Sequence, residues 1–565
     1  MKTINQTKIL ALAAVMFLVT GCGDFLDTSL DNQRTDETIV TDRSTIWSFG
    51  NAMYAQLPNG LRIIDGNFFA AATDEGQQTA SSADAFTFNL GILTPTSNPL
   101  WGRYTAAYEG IRAANFFLDY VSDGKGEALL ALNRDLVADV VNYERDLLYL
   151  GYTIAEAYVV KAYYYGELVK MYGGVPIVDE LYAEGQYVQK SSYDDVVAHI
   201  VKMIDDNKDK LAVNWSADTG RGGRFTLGVA LAIKARALLY AASPLNNPTN
   251  DKDKWLAAAR TAKELMDTPG LTDKGTSYAL HADYAEYFKG STPLGSAETI
   301  YAMRSYTSND METKNYPIGT PGGSSGVTPT HNLVSAYEYL IGFNENTDPN
   351  EPYVGRDPRL DATIVYNGST WNGHTIAMEK GGDNDQDATN ASQTGYYIKK
   401  YLTDGLNLVQ DQTAQHNWAL FRYAEVLLTY AEALNEAYGP DYTDAEFTVS
   451  ARAALKQVRD RASIGLPAVT ATGQVDFTKA IKRERMVEFA FEDHRYWDLL
   501  RWKDAEIVLN QPVKGVRVAL SGGLYTYTEK EVASRTFDAS KNYLLPFSRT
   551  EVANSKGSLT QNPNY

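Results

Sequence analysis

Apolar residues recur at steps of three and four over residues 155–172. Ala155, Tyr158, Val159, Ala162, Tyr165, Gly166, Val169 and Tyr172 fall on one face of a helix. Gly173 and Gly174 end that stripe, and Pro176 bars its resumption. The same period predicts helices over 194–211, 225–242, 255–266, 421–437, 451–461 and 479–502. In 421–437, Ala424, Leu427, Leu428, Ala431 and Leu434 make the apolar stripe, while Arg422, Glu425, Thr429 and Glu432 lie opposite. Helices in pairs, with small residues where they would cross, predict hairpins of the tetratricopeptide kind, although no fixed period of about 34 residues is present.

Between 268 and 417 the pattern changes. Gly, Pro, Asn, Asp and Ser cluster there, and short strand-like runs appear, such as Thr299-Ile300-Tyr301-Ala302-Met303. Residues 65–99 have the same texture. A long irregular stretch inside a compact chain is usually functional. The expected architecture is mainly α: one domain over 46–565, a helical scaffold carrying long irregular insertions with short strands.

The first 21 residues read differently. Lys2 and Lys8 precede an apolar run over 9–19, and Val19-Thr20-Gly21 leads to Cys22, the only cysteine. That is the layout of a secretory signal, with an apolar run below the ~20 residues a span needs. The small residues before Cys22 resemble a bacterial lipobox, which implies cleavage before Cys22 and a lipid on its thiol. Residues 22–45 read as a polar, acidic tether, and their start resembles the export signal of surface lipoproteins. Of the 565 residues, 44% are hydrophobic, ample for a large core. The formal net charge of -18 argues against nucleic acid or anionic membrane as a partner. The chain has 38 tyrosines, which suit both helix packing and sugar-binding surfaces.

Several stretches together resemble one family. They are ATDEG at 72–76, WGRYTAAYEGIRAANFFL at 101–118, EAYVVKAYYYGELVKMYGGVPIV at 156–178, GRFTLGVALAIKARALLYAASPLNN at 223–247, RYAEVLLTYAEALNEA at 422–437 and IKRERMVEFAFEDHRYWDLLRW at 481–502, with LTQNPNY closing the chain at 559–565. In this order they resemble the SusD/RagB family of glycan-uptake lipoproteins. The resemblance implies an α-helical fold with four tetratricopeptide-like units. It also implies a lipoprotein at the outer face of the outer membrane, capping a SusC-like TonB-dependent transporter. Oligosaccharide is the cargo it implies first, and peptide the alternative. The matching motifs belong to the frame and carry no ligand residues over to this chain.

Sugars are bound by stacking on aromatic rings, with amides and carboxylates reading the hydroxyls. Candidates on irregular segments are Phe86 and Asn89 after ATDEG, Tyr306, Asn309 and Tyr316 in the central insertion, and Trp371 between glycines in GSTWNG. Trp255, Trp497 and Trp502 sit on helical stripes and read as core. Asp383, Asp385 and Asp387 alternate like the start of a calcium loop, but Ala388 and Thr394 stand where its glycine and glutamate belong. No cofactor beyond the lipid is expected. Gly322-Gly323-Ser324-Ser325-Gly326 satisfies G-x-S-x-G, yet neighbouring prolines make it a loop rather than a nucleophile turn. The charges of 481–502 pair at Arg485 with Glu488 and at Glu492 with Arg495 by helical spacing, and read as an ion network holding the last helices to the frame. The expected protein is a binder rather than an enzyme, with a lipid-anchored glycoside hydrolase as the remaining catalytic alternative.

Overall fold

The computed structural model describes residues 42–565 apart from 184, 341, 343 and 345–347, and without the side chains of 304–306. Cys22, the signal segment and nearly all of the 22–45 tether lie outside the described residues. The first helix, α1 (Ser44–Ala52), begins just inside the span assigned to the tether.

The helical frame then runs through α2 (Trp101–Val121), α3 (Val140–Tyr172), α4 (Tyr193–Asp205), α5 (Leu227–Ala242) and α6 (Lys252–Asp267). It resumes with α7 (Tyr423–Tyr438), α8 (Ala451–Arg459), α9 (Gln474–Glu488) and α10 (Arg495–Arg501). Ends follow local chemistry. The Ser192 and Ser450 hydroxyls accept the Asp195 and Ala453 amides at 3.1 Å and cap α4 and α8. Gly173, at φ +70°, ends α3. Helix α3 starts well upstream of residue 155, and exposed Val140, Val141 and Leu148 blur the apolar stripe over that first part. The helix expected over 479–502 is two, broken where Phe491 and Asp493 adopt positive φ. Helix α2 was passed over by the periodicity reading. Gly110 lets it cross α3 closely, since a Cβ there would stand 2.2 Å from the Tyr164 ring.

Successive helices pack as neighbours: α2 on α3, α3 on α4, α4 on α5, α5 on α6 and α7 on α8. Helix α6 packs directly on α7, although residues 268–422 separate them in the chain. The insertion is therefore looped out between two adjacent helices of the stack. Its neck is closed by an antiparallel ribbon of β2 (Thr299–Ser308) and β4 (Ala414–Arg422), which pairs Thr299 with Arg422 and Met303 with Trp418. Inside it, β3 (Val327–Pro329) pairs with β1 (Gly76–Gln78), which ties the 65–99 region to the insertion. Late in the chain β5 (Val513–Ser521) and β6 (Leu524–Ala533) form a hairpin about Gly522-Gly523. No helix among the described residues is long and apolar enough to cross a membrane.

A buried ion network bolts the insertion to the frame. Arg422 contacts Glu298 at 2.8 Å, Glu488 at 2.7 Å and Glu492 at 2.7 Å. Arg461 reaches Glu298 at 2.6 Å and Glu488 at 2.9 Å. Arg359 reaches Asp357 at 2.7 Å, Glu484 at 2.6 Å and Glu488 at 2.9 Å, and Lys400 reaches Glu492 at 2.7 Å. All these side chains are buried. Burial alone would raise the Glu488 carboxyl pKa, but Arg461, Arg422 and Arg359 together hold it well below the usual range.

One expectation needs correcting. Arg485 pairs with Asp498 at 2.8 Å and Arg495 with Asp74 at 2.8 Å, rather than with Glu488 and Glu492, because those two acids are taken by Arg359, Arg422, Arg461 and Lys400. The side of α7 opposite its apolar stripe is buried as well: Arg422, Glu425, Thr429 and Glu432 are all covered, with Arg236 on Glu425 and Arg501 on Glu432. A charged face covered by other charged faces looks, in sequence, like one facing water.

Candidate functional site

The residues proposed for ligand contact fall mostly in the interior. Trp371 is 1% exposed and meets the Tyr316 ring edge-on, centroids 5.3 Å apart. Tyr316 is itself fully buried and donates its hydroxyl to the Thr403 carbonyl. These two rings form a core of the insertion, which corrects their reading as exposed ligand residues. Asn372-Gly373 makes a two-residue hairpin that pairs Trp371 with His374 and turns the indole inward. Asn89 is buried and donates to the Ala71 carbonyl at 3.0 Å, so it serves the frame. Phe86 is half-buried on a short helix (Ala85–Asn89). Asn309 is half-buried and donates to Asp411 at 2.9 Å and to the Gln412 carbonyl at 3.1 Å. The side chain of Tyr306 lies outside the described residues. Trp255, Trp497 and Trp502 are buried, as their stripes predict.

Two of the three alternating aspartates are engaged within the protein. Asp385 accepts the Gly381 amide at 2.8 Å and the Asp387 amide at 2.9 Å, fixing its own turn. Asp387 forms a two-pronged ion pair with Arg517 of β5, both contacts 2.6 Å. Asn384 and Gln386 between them are buried, and Gln386 bridges to the β5 backbone at Val516 and Val518. The segment docks the hairpin. Asp383 stays exposed. Among the described residues no group of three or more acidic, histidine or cysteine side chains is placed to hold a metal. Ser324 donates to the Thr313 carbonyl in a segment that leads into β3, so no nucleophile turn forms.

Docking the hairpin on the insertion creates an aromatic face. Strand alternation puts Tyr525 and Tyr527 on one side of β6, both half-buried, with exposed Thr526 and Thr528 on the other. The Tyr525 and Tyr527 centroids are 6.4 Å apart. Tyr527 stands edge-on to Tyr353 at 5.5 Å, and Tyr353 stacks on half-buried Tyr366 at 4.1 Å with planes 28° apart. Asn367 sets a planar amide between the two elements: its Nδ2 donates to the Tyr527 hydroxyl at 3.2 Å, and its Oδ1 accepts the Met378 amide at 2.9 Å. Beside it Glu379 has one oxygen, Oε2, buried and without a hydrogen-bond partner among the described residues. Burial first, then the nearby Glu379 charge, pushes the Tyr525 hydroxyl pKa up; for Tyr527 burial is again the main cause. Burial and Asp361 do the same for Tyr366. All three stay protonated donors at neutral pH. Tyr366, Tyr525 and Tyr527 each keep part of their surface exposed, while Tyr353 is buried among them. Half-exposed rings can stack on a sugar, with their hydroxyls and half-buried Glu379 to read its hydroxyls, while buried Asn367 fixes Tyr527.

These tyrosines lie outside any helical period, yet the sequence carries a signal for them. Gly522-Gly523 followed by Tyr-Thr-Tyr alternation marks a hairpin with one aromatic face. That Tyr353 and Tyr366 come to meet it is a long-range fact with no local trace.

Known proteins resemble this chain along most of its length. Residues 295–565 match the model described as "SusD family", and residues 24–239 match the one described as "Starch-binding associating with outer membrane". The SusD-like protein P2 of Formosa agariphila is 24% identical over 429 residues, 73% of this chain and 74% of that protein. A SusD-like protein from Bacteroides fragilis superposes with a TM-score of 0.74 at 23% identity, covering 94% of this chain and 99% of its own. A SusD-like carbohydrate binding protein from the same organism gives 0.72 at 24% identity, covering 92% and 99%.

Proposed function

The chain belongs to the SusD/RagB family, and on that premise we propose that it captures neutral oligosaccharide at the outer membrane without cleaving it. The observation that carries this reading is the half-exposed tyrosine face of Tyr366, Tyr525 and Tyr527, with the Glu379 carboxylate beside Tyr525. A net charge of -18 works against acidic glycans, which is why the proposed cargo is neutral. Peptide capture gains no specific support from this face.

Delivery extends the same proposal. Cys22, acylated, anchors the protein at the outer membrane facing the cell exterior, and the 22–45 tether keeps the body beside a SusC-like TonB-dependent transporter. Tethering raises the effective concentration of the pair, so a weak contact suffices to close the lid. Neither cofactor nor nucleic acid has a part in it.

The deciding experiment is calorimetric titration with neutral oligosaccharides, followed by analysis of the recovered sugar. Binding with the sugar recovered intact supports the proposal. New reducing ends that vanish on mutating one carboxylate would make the protein a hydrolase. Binding of peptides but no sugar would leave the alternative cargo. For the anchor, Cys22→Ala is expected to release the protein from the outer-membrane fraction.

A further inference from the structure

A second concave surface lies away from the hairpin, on the helical frame. Helix α2 presents Tyr104, Tyr108 and Arg112 at four-residue steps, with Glu109 beside them. Opposite lies a strap that contributes Pro176, Val178, Tyr182, Gln186 and Tyr187, and the C-terminal segment 551–559 closes the third side. Together they enclose about 460 Å³, inside the ~300–1,000 Å³ span of small-ligand sites.

The strap is fixed from within. The Tyr108 hydroxyl donates to the Pro176 carbonyl at 2.8 Å. The Val178 amide donates to the Tyr165 hydroxyl at 2.7 Å, and Asn115 donates to the Val178 carbonyl at 2.9 Å. Its backbone polar groups at Pro176 and Val178 are thus committed to α2 and α3, and side chains remain to read a ligand. That arrangement disfavours a peptide adding as a strand, which needs free backbone groups along an edge. On the lip, Tyr182 is 38% exposed and Tyr187 is 48% exposed, while Tyr104 and Tyr108 are half-buried in the wall. Exposed Glu109, Arg112, Gln186 and Asn554 supply planar polar groups around the rings. Apolar walls with flat polar groups at the rim match the alternating apolar faces and hydroxyl edges of a pyranose. A lipid chain would not use the charged rim, and the acidic chain repels anionic headgroups.

We propose that this groove is a second saccharide-binding site, which takes the end of a short neutral oligosaccharide between the α2 tyrosines and the Tyr182–Tyr187 lip. It rests on the reading of the protein as a saccharide binder, but on none of the residues of the hairpin face.

Tyrosine nitration read by peptide mass spectrometry tests both sites in one digest. The whole protein is treated with tetranitromethane alone and with maltotetraose, cellotetraose, laminaritetraose or xylotetraose, and with neutral tetrapeptides as the competing class. At least one saccharide is expected to protect Tyr182 and Tyr187. Protection at Tyr525 and Tyr527 without protection at Tyr182 and Tyr187 overturns the groove and leaves the proposed function standing. Protection in the groove alone keeps the groove and sinks the hairpin face. Protection of the groove by peptides only, or by nothing in the panel, overturns the inference. Where a saccharide protects it, Tyr182→Ala with Tyr187→Ala should weaken that binding event roughly tenfold and leave the melting temperature and the hairpin-face event unchanged. Unchanged binding in that variant would also overturn it.

Discussion

Tyr163, Tyr164 and Tyr165 on α3 and Tyr366, Tyr525 and Tyr527 on the insertion and hairpin are the same residue put to opposite uses. The α3 rings are sealed, and two of their hydroxyls serve backbone: Tyr164 donates to the Met53 carbonyl at 2.8 Å and Tyr165 to the Val178 carbonyl at 3.1 Å. The other three rings are linked through buried Tyr353, which stacks on Tyr366 and meets Tyr527 edge-on, and they stay half-exposed with a carboxylate beside Tyr525. Composition cannot separate the two sets. What separates them is whether a neighbouring element covers the ring, and for the hairpin that depends on how the insertion docks.

The joint between frame and insertion is where that contrast breaks most violently. Arg422→Ala removes a buried guanidinium that serves Glu298, Glu488 and Glu492. Leaving those acids uncompensated should cost about 3–5 kcal/mol in chemical denaturation. A change within about 0.5 kcal/mol would mean that the network is solvated rather than buried.

Trp371→Ala comes next. A buried indole packed on Tyr316 should cost roughly 3–4 kcal/mol of stability when truncated. Sugar affinity per folded molecule should not change, because the indole does not reach the tyrosine face. Lost affinity at full stability would restore its reading as a ligand residue.

Acid probes the same joint more gently. Glu488, Glu298, Glu432 and Asp498 are buried, which would raise them, yet neighbouring arginines hold all four below their ordinary values. Groups depressed in the fold stabilise it above their unfolded pKa, and that stability is lost as pH falls through the folded pKa. Glu75 acts in the opposite sense: burial raises it to about 8, so its contribution is lost as pH rises towards that value. Stability should therefore drop by about 1–2 kcal/mol below roughly pH 4, and Glu75→Gln should flatten the curve on the neutral side without touching the acid limb. The check is a series of urea titrations across pH, and a flat acid limb would contradict the ion-pair account.

The helices were legible because a 3.6-residue period records a buried face locally. α4 through α8 fall close to their predicted places, and the tryptophans on stripes are core. Two kinds of information were not local. The polar face of α7 is buried against charges from α5, α10 and the insertion, and no pattern within α7 tells a salt-bridged face from a wet one. The Gly-rich setting of Trp371 announces a turn correctly, but whether a turn faces solvent depends on the elements folded over it. The Asn372-Gly373 dipeptide did encode the hairpin that turns the ring inward. Of the functional face, the Tyr525–Tyr527 alternation was readable and its meeting with Tyr366 and Asn367 was not.

The smallest expected effect is the most direct test of the comparison. Tyr525 is half-buried on the same side of β6 as Tyr527, its ring tilted 40° to that neighbour, and its removal leaves the contacts of Tyr353 with Tyr366 and Tyr527 in place. Tyr525→Ala should then change folding stability by no more than about 0.5 kcal/mol, as for other surface sites. If the ring stacks on sugar, truncation should cost about 1 kcal/mol of binding, a loss of roughly fivefold in affinity. Tyr525→Phe keeps the ring and removes the hydroxyl, so it should retain most of the affinity if stacking dominates. A loss equal to that of the alanine variant would shift the role from ring to hydroxyl. A drop in melting temperature for the alanine variant that the phenylalanine variant does not share would show that the ring belongs to the packing after all, and the division between sealed and open tyrosines would fall.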